Sequence, residues 1–99
     1  MAFLGIFGKK SEGGPLRKHA ERVANKRAQA YDRWESIQAL TQLRTREAVE
    51  ALLPRFTFYV EPSITDQEEK DAAFAGIVDA GAVGAEPVVA FLKRADSIS

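Results

Sequence analysis

Residues 39–53 read ALTQLRTREAVEALL, and residues 76–92 read GIVDAGAVGAEPVVAFL. Laid one on the other, the apolar positions coincide. Leu40 falls on Ile77, Leu43 on Ala80, Val49 on Val88, Leu52 on Phe91 and Leu53 on Leu92. The offset is 37 residues in the first half of each stretch and 39 in the second. Within each half the apolar residues recur every three or four positions, which is the period of a helix with one buried face. A helix pair repeating at a period near 40 is the pattern of a helical solenoid.

Working outward, residues 31–43 predict an amphipathic helix with Trp34, Ile37, Leu40 and Leu43 along one side. Tyr31 and Trp34 are expected in the core or against the preceding helix. Arg44 and Thr45 make a turn, with Thr45 as the N-cap of the next helix and Glu47 favoured by its dipole. That helix places Val49, Leu52, Leu53 and Phe56 on one face. Pro54 has no N–H for the carbonyl of Glu50, so a kink or an early end is expected there. Residues 57–63 contain Phe58, Tyr59 and Val60 but have no strand partner elsewhere, so they read as an extended connection. Thr65 with Glu68 matches a capping box. The helix behind it carries Ala72, Ala73, Phe74, Ile77, Val78 and Ala80 as its apolar positions and closes at Gly81. Gly84 reopens the chain, and Pro87 suits the first turn of a last helix faced by Val88, Phe91, Leu92 and Ala95.

On the run Ala39-Leu40, Leu43, Ala48-Val49, Leu52-Leu53 and its counterpart Gly76-Ile77, Ala80-Gly81, Pro87-Val88, Phe91-Leu92, the chain resembles the HEAT-repeat family over residues 32–95. The resemblance implies an all-α solenoid of two antiparallel helix-turn-helix repeats, about 31–57 and 65–96. Its usual role is to bind and hold other macromolecules, although fold alone does not establish function. It also implies that the second helices line the inner surface, which would present Arg46, Glu47, Glu50 and Arg55, then Glu86, Ala90, Lys93 and Arg94. Mixed charge there suits a protein partner better than nucleic acid, which wants one basic stripe. Two repeats are few for a solenoid, and Val88, Phe91, Leu92 and Ile98 lack a polar cap. The expectation is the front part of a longer array, or an open end that pairs with another chain.

Ahead of the repeats, residues 1–14 form an apolar and basic tail with a Gly-rich hinge at Gly13-Gly14, and a basic helix is expected over 15–30. That helix is rich in strong helix formers but has only a thin apolar stripe, so it reads as solvated. Nothing in the sequence marks a stop between it and residue 31. Residues 1–33 carry a net charge of +5 and the rest −5, although the whole chain is neutral. Phe3, Leu4, Ile6 and Phe7 with Lys9 and Lys10 suit an anionic bilayer interface, or a tail that packs on the open end of the domain. Ala2 removes the glycine that myristoylation requires. Lys18, Arg22 and Lys26 recur every four residues, extended by Arg17 and Arg33, and would attract lipid headgroups or, more weakly supported, nucleic acid. No aromatic residues interleave them for base stacking.

At 99 residues and 45% hydrophobic content the chain has room for one domain with a modest core. The balanced composition argues against wholesale disorder. The absence of cysteine removes disulfide frameworks, thiolate zinc sites and cysteine nucleophiles and fits a reducing compartment, so the expected place is the cytoplasm or the inner membrane face. No apolar run approaches the roughly 18 residues of a spanning helix, and no secretory signal is expected. His19, the one histidine, sits among charges and reads as a surface residue. Glu68, Glu69 and Asp71 read as acids stabilising a helix start. No catalytic, cofactor or metal constellation emerges, so the expectation is a non-enzymatic scaffold or adaptor, with peripheral membrane recruitment as its alternative.

Overall fold

The structure, a computed structural model, describes residues 15–98, with side chains to residue 96. The fold is all-α, with no strand among the described residues. Helix α1 spans 15–23, α2 Ala30–Leu43, α3 Arg46–Leu52, α4 Ser63–Ala80 and α5 Ala85–Ile98; short 3-10 segments cover Leu53–Thr57 and Gly81–Gly84.

Local chemistry accounts for most of these boundaries. The hydroxyl of Thr45 accepts the N–H of Ala48 at 3.1 Å, the cap expected for α3. Pro54 ends the α-helical turns at Leu52 and sits in the first turn of the 3-10 segment. Residues 58–60 continue as extended backbone without a strand partner. Gly81 terminates α4 at φ 74° and ψ −142°, a conformation open only to glycine without strain.

Two boundaries differ from the sequence reading. The basic helix stops at residue 23 and does not reach 30. Asn25 is the cause: its Oδ1 accepts the N–H of Arg27 at 2.9 Å, and an asparagine that satisfies the backbone this way competes with the helix. Helix α4 starts at Ser63, two residues before the expected cap at Thr65. The carbonyl of Pro62 accepts from the N–H groups of Thr65 and Asp66 (2.9 and 3.2 Å), so the Thr65–Glu68 box does not form. The peptide bond joining Glu61 to Pro62 is cis.

The core centres on Val23, Ile37, Leu40, Ala48, Ala51, Leu52 and Ala73. Helix α2 lies along α4, and α3 packs on both. Helix α5 finds its helical neighbour in α3, with little of it against α4. Small residues permit the closest crossing: Gly76 of α4 faces the side chains of Thr41 and Leu52. Helix α1 leans on this trio through Val23, Leu16 and Ala20.

The inward face of α4 is not the expected one. It carries Asp66, Glu69, Ala73 and Gly76, a three- and four-residue spacing that leaves Phe74 63% exposed and Val78 61% exposed. In α2 the inward face is Arg33, Ser36, Ile37 and Leu40, so Tyr31 and Trp34 are turned outward and do not enter the core. Leu92 and Ala95 of α5 are also exposed, whereas Val88 and Phe91 are half-buried. The helical run Ser63–Asp96 contains an 18-residue window of mean hydropathy 1.5, long and apolar enough to cross a membrane by length and composition alone. This corrects the expectation that no apolar run approaches spanning length; Gly81 ends α4 within the run.

Candidate functional site

Four charged side chains meet inside the domain. Arg55 donates from Nε to Glu69 Oε1 (2.8 Å), from Nη2 to Asp66 Oδ1 (2.7 Å) and from Nη1 to the carbonyl of Phe58 (2.9 Å). Its guanidinium lies 4.5 Å from the centre of the Phe58 ring. Arg33 grips the same glutamate from the other side, Nε to Oε1 at 2.8 Å and Nη2 to Oε2 at 3.3 Å. Its Nη1 points into the α1–α2 turn and donates to the carbonyls of Asn25, Lys26 and Ala28. Asp66 also accepts the N–H of Val60 at 3.1 Å and pairs with Lys70 at 2.9 Å. Burial alone would raise the Asp66 pKa. The hydrogen bonds from Arg55, Lys70 and Val60 outweigh burial and hold it at about 2, against an ordinary 3.8.

Among the described residues no buried side-chain polar atom lacks a partner. The cluster is therefore closed: each guanidinium nitrogen of Arg55 has an acceptor, and both carboxylates are occupied. It ties α2, α4, the α1–α2 turn and the 3-10 segment together, and offers no free group for a substrate.

This overturns one expected binding residue. Arg55 is fully buried and cannot meet a partner. It overturns Arg33 as surface charge for the same reason. Glu69 is not a helix-start acid open to solvent but the hub of the cluster, whereas Glu68 and Asp71 remain exposed.

The other expected contact residues do share a surface. Arg46 pairs with Glu50 on its own helix (3.6 Å) and with Glu86 across to α5 (2.8 Å). Glu47 and Glu50 flank a shallow groove floored by Leu16, Ala20 and Ala51. Glu86 and Lys93 border the outer side of α5 around Ala85, Val89 and Ala90, and a second shallow depression follows at Leu92 and Asp96. Arg94 is exposed beside them. The structure thus brings Arg46, Glu50 and Glu86 into one charged row and leaves Lys93 and Arg94 further along α5.

The expected basic row breaks up. Lys18 is exposed on α1, and Arg22, one turn on, is paired with Glu35 at 3.2 Å. Lys26 lies in the turn after the helix, so it does not continue the row. Phe3, Leu4, Ile6, Phe7, Lys9 and Lys10 lie outside the described residues. His19 is half-buried, not a solvated surface residue, and its Nδ1 lies 2.9 Å from the hydroxyl of Ser36. Burial, then the neighbouring charges of Lys18 and Arg22, lowers its pKa below 6.5 against a smaller opposing effect of Glu35. Tyr59 borders a polar cleft with Lys26, Arg33 and Glu61, and partial desolvation followed by the Glu61 charge raises its pKa. Among the described residues no three His, Asp or Glu side chains converge as metal ligands would.

The sequence reading missed Arg33, Asp66 and Glu69 as interior residues and Val89 as a surface feature. A signal for the first three was present. Each sits in register with an apolar stripe, Arg33 with Ile37 and Leu40, Asp66 and Glu69 with Ala73 and Gly76. What these features define is an all-α module with a closed ionic core and an open, apolar last helix. No family model, no curated protein and no solved structure matches the chain.

Proposed function

We propose that this chain is a non-enzymatic helical module that docks a protein partner, a scaffold or adaptor built on HEAT-like helix pairs. The observation that carries the reading is the outer face of α5. Val89 is 50% exposed and Leu92 59% exposed, on a helix whose polar neighbours Glu86 and Lys93 form a rim. An apolar strip with a charged border has the anatomy of a protein-docking surface. The surface is carried on α5, which rests on α3. The HEAT-like part of the reading rests on the repeated spacing and on the packing of α2 with α3.

The test compares the whole chain with a Val89→Glu, Leu92→Glu variant as bait in native extract. Both positions are exposed, so the variant is expected to keep its helical circular dichroism. Specific partners recovered by the parent chain are expected to disappear with the variant. Recovery of the same partners by both would sink the proposal.

A second reading, peripheral membrane association, is favoured by the exposed Phe74 and Val78 within the apolar window of the Ser63–Asp96 run. It also uses the apolar and basic residues 1–10. It expects co-sedimentation with anionic vesicles that is lost on Phe3→Glu with Phe7→Glu. Recovery in the supernatant at low salt would remove it.

A further inference from the structure

We infer that the outer face of α5 pairs with the same face of a second copy of this chain, antiparallel, about a two-fold axis passing between Val89 and Ala90. The inference rests on the reading of that face as a docking surface and names its occupant. Two of the charges on α5, Glu86 and Lys93, are placed symmetrically about that point. Glu86 precedes it by as many residues as Lys93 follows it, and the two border the same depression with Ala85, Val89 and Ala90. They stand seven residues apart, about 10 Å along the helix, on the same side of it.

An antiparallel copy therefore sets each Glu86 against Lys93 of the other copy, twice per pair. A parallel copy sets Glu86 against Glu86 and Lys93 against Lys93, which is repulsive. A two-fold contact must be self-complementary, with one patch serving both partners, and this charge order meets that condition. The strip between the charges is apolar. Val89 of one copy then falls beside Ala90 of the other, which is small enough to let the helices approach, and Leu92 lies at the flank of the contact. The helix carries the strip outward: its buried contacts are made by Pro87, with Val88 and Phe91 half-covered on the opposite side. The Arg46 pair with Glu86 does not close the site, because the Glu86 side chain remains 73% exposed.

One helix from each copy makes a small interface, of the class that gives weak, reversible association. The helix dipole alone also favours an acid early and a base late in α5. The experiment therefore has to separate pairing from helix stability, which a charge exchange does. Sedimentation equilibrium on the whole chain, from about 10 to about 500 µM, is expected to show a monomer–dimer equilibrium with a dissociation constant on the order of tens to hundreds of micromolar. Glu86→Lys alone and Lys93→Glu alone are each expected to weaken it by about tenfold. The two together are expected to restore it to within about threefold, although the exchange opposes the dipole. Val89→Glu is expected to leave monomer only, with unchanged circular dichroism.

A monomer throughout the range overturns the pairing. So does a dimer that ignores all four variants, or a double exchange no better than the single ones. A monomer that still loses its extract partners on Val89→Glu with Leu92→Glu overturns self-pairing while the docking reading stands.

Discussion

Glu69 accepts from two guanidiniums at once, and its carboxylate is the one anion common to Arg33 and Arg55. A buried ion pair of this kind is no stronger than a well-packed apolar contact, but removing one member strands the others. Glu69→Gln leaves the buried Arg33 without its carboxylate partner and Arg55 with Asp66 alone. The expected loss in urea denaturation is about 3–5 kcal/mol, set against about 0–1 kcal/mol for Arg46→Gln in the exposed pair with Glu50. Equal shifts for the two variants would contradict the role assigned to the cluster. Two groups also set the pH response. Asp66 is more acidic folded than unfolded, so its contribution is complete above its ordinary 3.8 and is lost as pH falls toward about 2. His19 is lowered as well, so the unfolded chain takes up its proton first and stability declines as pH drops below 6.5. Thermal midpoints are expected to fall in two steps between neutral and strongly acid pH. Asp66→Asn removes the lower step and His19→Asn the upper, and a profile unchanged by either variant contradicts the assignment.

At the scale of elements, Gly76 decides how closely α4 approaches the α2–α3 pair. A Cβ there would collide with Thr41 Oγ1, which is held at 2.8 Å from the carbonyl of Ile37, and would press on Leu52 Cδ1. Gly76→Ala gains about 1 kcal/mol of helix propensity but incurs about 1–3 kcal/mol of overpacking. A net loss of about 0–2 kcal/mol is expected. The same substitution in a Thr41→Ala background is expected to be milder by about 1 kcal/mol, and strict additivity would exclude the contact. Gly81→Ala meets nothing within 4 Å, so its expected loss of about 1–2 kcal/mol is a backbone effect alone. What was legible in the sequence follows the same division. Thr45, Pro54 and Gly81 act on their own turn of chain, and their effects could be read there. The cap at Thr65 and the extent of the first helix could not. Asp66 is drawn inward by Arg55, and the turn at Asn25 is clasped by Arg33, a residue that itself answers to Glu69, 36 positions away. Charge is read as surface by default, and only its register with Ile37, Leu40, Ala73 and Gly76 gave the opposite hint. The candidate surface was partly legible for a similar reason. Arg46, Glu50 and Glu86 meet because α5 rests on α3, whereas Arg55 looked equivalent to them in sequence and is its structural opposite.

Across the whole molecule, burial is uneven, and stability should be uneven with it. The apolar core lies where α2, α3 and α4 meet, and the ionic cluster where α2, α4 and the 3-10 segment Leu53–Thr57 meet. By contrast, Val23 is the one buried residue among the described positions of α1, and Pro87 the one among the described side chains of α5. Segments with few buried contacts open without global unfolding. Amide exchange is therefore expected to be slowest in α2 and in the 73–77 part of α4, which should open only with the whole domain. Helix α1 and the end of α5 beyond Phe91 are expected to exchange by local opening, at least about a hundredfold faster. The distribution also bears on what α5 is for. A helix this lightly held contributes little to its own domain, yet it keeps Val89 and Leu92 in water at a standing cost. If a second copy covers Val89, exchange at residues 89–93 will slow as protein concentration rises through the dimer range, while α1 stays unchanged. Uniform protection across α1, α2 and α5 in dilute solution would contradict the gradient. A gradient that does not respond to concentration would leave the fold as described and count against the paired helix.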